Sequence, residues 1–258
     1  MKRIMLTVAY DGSAYSGFQE QDNAPTIEGE INRCLKELLG EEIRVIGGSR
    51  TDAGVHALCN VAVFDTESRI PGEKISYALN QRLPEDIRIR ESREMPAGFH
   101  PRHCESRKTY EYKIINDKFP IPTKRLYGHF TYVPLDERRM KAAAAYLVGE
   151  HDFKSFCSAG SQVLSTVRTI YDIQAEREKE EITIRVTGNG FLYHMVRILT
   201  GTLIEVGQGK RLPWQMSYIL EARDRKMAGF TAPAEGLSLI KVEYSYPLGV
   251  GIGHLDVS

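Results

Sequence analysis

Apolar and polar residues alternate from the start of the chain. Ile4, Leu6, Val8 and Tyr10 fall on one side of segment 2–10, the period-two pattern of a half-buried strand. A loop with two glycines follows, Asp11 to Gln19, in which Tyr15 and Phe18 look exposed. The period then changes. Ile27, Ile31, Cys34, Leu35 and Leu38 recur at helical spacing between Thr26, suited to an N-cap, and Gly40, suited to close a helix. Segment 43–46 reads as a short strand and 61–64 as its antiparallel neighbour. Pro71 opens a helix through Ile75 and Leu79 that Pro84 stops, and 87–90 alternates again.

Strand, helix, strand, strand, helix, strand is the split βαβ order of ferredoxin-like folds. The second half begins with a strand at 110–115. A helix from Asp136 then places Met140, Ala143, Ala144, Leu147 and Val148 on its inner face. Segments 167–175 and 181–187 flank a charged turn and read as a hairpin. A helix over 191–206 carries Met195, Leu199, Leu203 and Val206, Pro213 starts another, and 237–242 is the last strand. The order repeats with one added helix. The expectation is an α+β fold of two ferredoxin-like halves, 1–100 and 101–258.

Composition narrows the class. With 42% hydrophobic and 26% charged residues, 258 positions suffice for a substantial core. Thirty-four basic residues balance thirty-four acidic ones, so any nucleic-acid surface must be local. The four cysteines are scattered without a CxxC pair, as expected of reduced thiols in a cytoplasmic protein. His100, His103 and Cys104 lack a second ligand pair, so no metal is expected. No apolar run is long enough to span a membrane.

The basic residues crowd one segment. Arg88, Arg90, Arg93, Arg102, His103, Arg107, Lys108 and Lys113 interleave with Phe99, Tyr110 and Tyr112, and cations among stackable aromatics suit RNA. Glu91, Glu94, Glu105 and Glu111 share the segment, so a neutralised solvent face is the alternative. Tyr110 and Tyr112 point to the same side of their strand and serve either core packing or stacking. Arg197 stands on a buried-looking helix, either displayed at its surface or needing a carboxylate partner.

One loop concentrates reactive groups. Gly47-Gly48-Ser49-Arg50-Thr51-Asp52-Ala53-Gly54-Val55-His56-Ala57 follows the 43–46 segment and sets a carboxylate two residues from a cation between glycines. Asp52 either caps a turn or helix start, or is a reactive anion on an anchored loop. The loop offers no second acid for a two-carboxylate glycosidase, no P-loop ending and no nucleophile elbow.

These segments together resemble the tRNA pseudouridine synthase A family. The matching motifs are Tyr10-Asp11-Gly12-Ser13-x-Tyr15-x-Gly17-Phe18-Gln19, Arg50-Thr51-Asp52-Ala53-Gly54-Val55-His56-Ala57 and Asn80-x-x-Leu83-Pro84-x-Asp86-Ile87. Phe99-His100-x-Arg102, Lys108-x-Tyr110-x-Tyr112, Gly190 to Arg197, and Ala232-Pro233-Ala234-x-Gly236-Leu237 continue them in order. The chain departs from the family at Glu105, where a small residue is usual, and near residues 128 and 129, where an aromatic is. Both bear on the range of substrates and not on the chemistry.

The resemblance implies conversion of uridine to pseudouridine in the anticodon stem-loop of tRNA, at positions 38 to 40, by a homodimer without a cofactor. It also implies one central, mostly antiparallel sheet shared by both halves, with helices on one side and an RNA cleft on the other. Asp52 would be the nucleophile, attacking C1′ or C6 or acting through a glycal. Arg50 would fill the space of the flipped base, Tyr110 would stack on the uracil and help move its C5 proton, and Arg197 would pair with Asp52. Arg102 and Lys108 would hold phosphates, and His56 would contact the substrate. A non-catalytic RNA-binding protein with the same basic tract is the alternative.

Overall fold

The computed structural model describes residues 1–160, 163–247 and 252–257. In chain order the elements are β1 (Lys2–Tyr10), α1 (Ile27–Leu39), β2 (Ile46–Gly47), β3 (His56–Thr66), α2 (Ile75–Leu79) and β4 (Ile87–Met95). Then come β5 (Glu105–Asn116), β6 (His129–Thr131), α3 (Glu137–Ala144), β7 (Gly149–Asp152), β8 (Val167–Glu178) and β9 (Glu181–Gly188). The chain continues with α4 (Met195–Gly207), α5 (Gln215–Ala222), β10 (Leu237–Pro247) and β11 (Ile252–Val257). Among the described residues no helix is long and apolar enough to cross a membrane.

The residues group into two compact units, Met1–Ser106 with the chain from Leu239 onward, and Arg107–Ser238. The first unit therefore runs past the expected boundary at residue 100 and reclaims the end of the chain. The cause is β10, which lies beside β3. Its Tyr244 meets Phe99 edge-on at 5.3 Å and donates to the Pro101 carbonyl at 3.2 Å.

In the first unit β1 pairs antiparallel with both β3 and β4, and β2 pairs antiparallel with β3. This β4–β1–β3–β2 order is the expected ferredoxin-like arrangement. Being central, β1 is buried on both faces, Met5 and Thr7 as well as Ile4, Leu6 and Val8. Helix α1 is bounded as its sequence dictates: Thr26 Oγ1 accepts from the Gly29 amide at 3.2 Å, and Gly40 closes it at φ 70°. Its inner stripe is Ile27, Ile31, Cys34 and Leu35. The strand expected over 43–46 shrinks to Ile46–Gly47. The Val45 amide donates to the Asn32 side-chain oxygen at 2.9 Å, which takes it out of the ladder.

In the second unit β9 pairs antiparallel with β5 and β8, β8 with β7, and β6 runs parallel to β5. Register sets Tyr110, Tyr112 and Ile114 opposite Val186, Ile184 and Ile182, all of them buried. Two expectations are corrected here. Val148 is 44% exposed, because α3 ends at Ala144 and tightens into a 3-10 turn that changes the phase of the stripe. Helix α4 starts at Met195 and not at 191, because His194 adopts a left-handed backbone (φ 60°). The short strands β6 and β7 and the final β11 have no counterpart in the periodicity.

Arg3 and Asp65 face each other across β1 and β3 and are joined by two hydrogen bonds of 2.8 and 2.6 Å. Arg3 donates a third to the Phe99 carbonyl at 2.8 Å. The hydrogen bonds from Arg3 hold the Asp65 carboxyl below its ordinary range. A depressed carboxyl stabilises the fold above its unfolded pKa and stops doing so as pH falls through the folded value. Asp65→Asn should therefore cost on the order of 1 kcal/mol at neutral pH. Its melting curve should converge on wild type below about pH 4, and melting temperatures measured across pH 3–7 check this.

Candidate active site

The Asp52 loop is fastened on both sides of its exposed member. Gly48 donates to the Val61 carbonyl at 2.6 Å as the chain leaves β2. Ser49 and Thr51 then turn inward and Arg50 between them is exposed. Asn60, wholly buried on β3, donates to the Ser49 carbonyl at 2.9 Å and to the Tyr10 hydroxyl at 3.1 Å. The Tyr10 oxygen lies 2.7 Å from Thr51 Oγ1. Burial pushes the Tyr10 hydroxyl well above the usual phenol range, so it stays neutral. Asp52 itself is half-exposed and its carbonyl accepts from Val55 at 3.1 Å, with Gly54 at φ 77° between them. Asp52 thus opens a turn. No helix follows it, and the chain passes directly into β3.

A second loop, Asp11 to Gln19, locks onto this turn. The Thr51 carbonyl accepts from Phe18 at 3.1 Å, and the Gly54 amide donates to the Tyr15 carbonyl at 3.2 Å. Gly17 has φ 96°, and a Cβ there would stand 2.7 Å from the Thr51 oxygen. The Gly12 amide donates to His56 Nδ1 at 3.1 Å. The same nitrogen lies 3.2 Å from an Asp11 oxygen that also accepts from the Ser13 amide and hydroxyl. His56, 6% exposed, thus braces the two loops from behind.

The aromatics Tyr15 and Phe18, expected at the surface, are 9% and 1% exposed. Phe18 fills the space beside Gly47, and the Tyr15 hydroxyl donates to Asp86 at 2.7 Å. The Asp86 carbonyl accepts from the Asp11 amide at 2.9 Å. Three motif segments distant in sequence, around residues 10–19, 50–57 and 80–87, therefore interlock. Periodicity missed the roles of Tyr10, Tyr15, Asn60 and Asp86, because a polar side chain spent on a loop leaves no periodic trace.

The basic tract divides on inspection. Arg93 pairs with Glu91 at 2.6 Å and Lys113 with Glu181 at 3.1 Å, while Arg88 donates to the carbonyls of Pro84 and Ile87. These are neutralised or spent. Arg50 and Arg102 are exposed, and among the described residues neither makes an ion pair. Both lie within electrostatic reach of Glu28, whose carboxyl burial pushes up against the Glu20 amide bond and their two fields. Arg50, Asp52, His56 and Arg102 thus belong to one unit.

Lys108, Tyr110 and Arg197 belong to the other unit. Tyr110, 8% exposed, meets Phe191 edge-on at 5.1 Å. Tyr112 is wholly buried and its hydroxyl donates to the Pro233 carbonyl at 2.8 Å. Arg107 lies over the Tyr171 ring at 4.4 Å. Arg197 is half-buried in the first turn of α4. Its Nε donates to the Ala232 carbonyl at 2.8 Å, and the Ala232 amide returns a bond to the Arg197 carbonyl at 3.1 Å. The 232–236 segment is therefore the seat of Arg197, a role hidden in the Ala-Pro-Ala-x-Gly motif.

A family model described as tRNA pseudouridine synthase matches residues 6–103 and 143–245. Lys108 and Tyr110 fall between these stretches. The tRNA pseudouridine synthase A of Thermoanaerobacter sp. (strain X514) is 47% identical over 245 residues, 95% of this chain and 100% of the relative. Those of Acetivibrio thermocellus and Brevibacillus brevis are each 48% identical over 244 residues, with the same shares covered. The match takes in all three interlocked loops and the helix that carries Arg197. The chain belongs to the tRNA pseudouridine synthase family and is an isomerase that converts uridine in tRNA to pseudouridine.

Proposed function

We propose that the substrate is the anticodon stem-loop of tRNA, at positions 38 to 40, that Asp52 is the nucleophile, and that no cofactor takes part. The observation that carries the proposal is the mounting of Asp52. Ser49, Thr51, Val55 and His56 are buried around it, while Asp52 and Arg50 face outward from a loop bonded to two strands and a second loop. A turn residue without a function needs no such support.

The reaction breaks the N1–C1′ bond, turns the uracil and rejoins it through C5. N1 gains a proton and C5 gives one up, so no oxidation state changes and no group donor is consumed. A carboxylate that bonds the substrate while the base is detached divides one hard step into two. A uridine in a stem must first leave its stack, at a cost of a few kcal/mol. Exposed Arg50 fills the vacated space, and Arg102 and Lys108 hold phosphates. Tyr110 stacks on the uracil and carries its C5 proton, and Arg197 balances the charge of the nucleophile. The roles of Tyr110 and Arg197, the action as a homodimer and the cytoplasmic location rest on the family resemblance.

Asp52→Asn should abolish pseudouridine formation and change tRNA affinity by less than about tenfold, roughly 1.4 kcal/mol. Mapping pseudouridine on unmodified tRNA reads both the rate and the position, and wild-type turnover by Asp52→Asn would dismiss the nucleophile. Arg102→Ala and Lys108→Ala should each flatten the slope of log affinity against log salt by about 0.7 to 0.9. An unchanged slope would assign those cations to a solvated face. Arg197→Met keeps the stem and deletes the bond to Ala232, so it should cost on the order of 1 kcal/mol of stability. Its single-turnover rate should fall by about a hundredfold or more, and a rate near wild type would remove Arg197 from the chemistry.

A further inference from the structure

We propose that Asn60 is a positioning residue for Asp52, acting directly on Ser49 and, by way of Tyr10, on Thr51. The inference rests on the assignment of Asp52 as nucleophile and extends it to the group that sets its place.

Asn60 sits among apolar residues of β3, with Cys59, Val61 and Val63 all buried beside it. Its oxygen accepts from the Val61 amide at 2.9 Å, and a carboxamide in such a place is unfavourable unless its hydrogens are bonded as well. Its two amide hydrogens go to the Ser49 carbonyl at 2.9 Å and, on the neighbouring β1, to the Tyr10 hydroxyl at 3.1 Å. The Tyr10 hydroxyl completes the link to Thr51 Oγ1 at 2.7 Å. Three buried side chains thus tie the residues on either side of Arg50 to β1 and β3. The Asp52 carboxylate follows one residue later.

All three are buried, at 0% exposure for Asn60, 5% for Tyr10 and 8% for Thr51, so they act on the loop from beneath it. The opposite side of the loop is held by main-chain bonds that do not involve them, Phe18 to Thr51 and Gly54 to Tyr15. Removing the side-chain ties should therefore leave the loop folded and its carboxylate displaced. A misplacement of about 1 Å at a reacting group costs about a hundredfold in rate.

The test measures single-turnover pseudouridine formation, tRNA binding and melting for Asn60→Leu, Tyr10→Phe, the double variant and Ser92→Ala. Ser92 on β4 accepts from the Ser76 amide at 2.8 Å and reports what a buried hydrogen bond of the same unit contributes away from the loop. Asn60→Leu should slow the reaction by roughly a hundredfold and Tyr10→Phe by roughly tenfold, with the two combining less than additively. Affinity for tRNA should stay within about threefold. Ser92→Ala should lose melting temperature without losing rate. A wild-type rate for Asn60→Leu, or equal slowing by Ser92→Ala at an equal loss of melting temperature, would overturn the inference. If Asn60→Leu does not fold, Tyr10→Phe decides alone, since it keeps the ring and deletes only the hydroxyl. Activity retained by Asp52→Asn defeats the nucleophile assignment instead and is read separately.

Discussion

Gly12 stands so close to the turn that follows Asp52 that a Cβ there would lie 2.0 Å from the Val55 oxygen, inside any tolerable contact. Gly17 adds a second approach to the same turn, with a backbone angle that side chains rarely adopt. Together they let one loop lie flat on another, main chain against main chain. The rest of the site depends on that fit. The Phe18 and Gly54 amides find their acceptors only at this separation, His56 reaches the Gly12 amide across it, and Tyr15 is drawn down to Asp86. The loop bearing Asp52 is thereby bonded to the loop before it as well as to the strands on either side of it.

Legibility in the sequence tracks how locally a feature is determined. Helix α1 was readable to the residue at both ends, since Thr26, Gly40 and the Ile27–Ile31–Leu35 stripe act within one or two turns. The ferredoxin-like order followed from alternation and spacing. What escaped is what distant residues decide. Asn32 on α1 removes the Val45 amide from the β2 ladder. Asp86 and Gly47 make cores of the spaces that receive Tyr15 and Phe18. Tyr244 returns the last strand to the first unit through Phe99 and Pro101. None of these pairings has a period. The site was legible as a set of motifs, and their mutual dependence was not.

Charge behaves in the same way. Equal numbers of acids and bases hide an uneven division between cations already bonded within the fold and cations left outward. Arg3 is consumed by Asp65 and Phe99, Arg93 by Glu91, and Lys113 by Glu181. Arg50 and Arg102 are not consumed in this way. A phosphate chain is attracted by the second group, so a formally neutral protein retains an electrostatic handle for RNA. Crowding of basic residues in the sequence could not sort its members, because the partners are chosen by the fold: Glu91 for Arg93, main-chain carbonyls for Arg88 and Glu181 on another strand for Lys113.

The second unit meets a comparable demand with main-chain atoms. Arg197 must present a guanidinium from the first turn of a helix whose neighbouring positions are almost all apolar. The Ala232 carbonyl accepts from its Nε, and the Ala232 amide bonds back to the Arg197 carbonyl. The segment so engaged needs its own support, which the Tyr112 hydroxyl supplies at Pro233 from the floor of the core. Burial raises that phenol above its ordinary range, so the support stays neutral. Asp52 is held likewise, by amides, carbonyls and neutral hydroxyls, with Tyr10 and Asn60 beneath it. In both units a buried neutral side chain, Asn60 or Tyr112, thus supports the segment on which the proposed site residue is mounted.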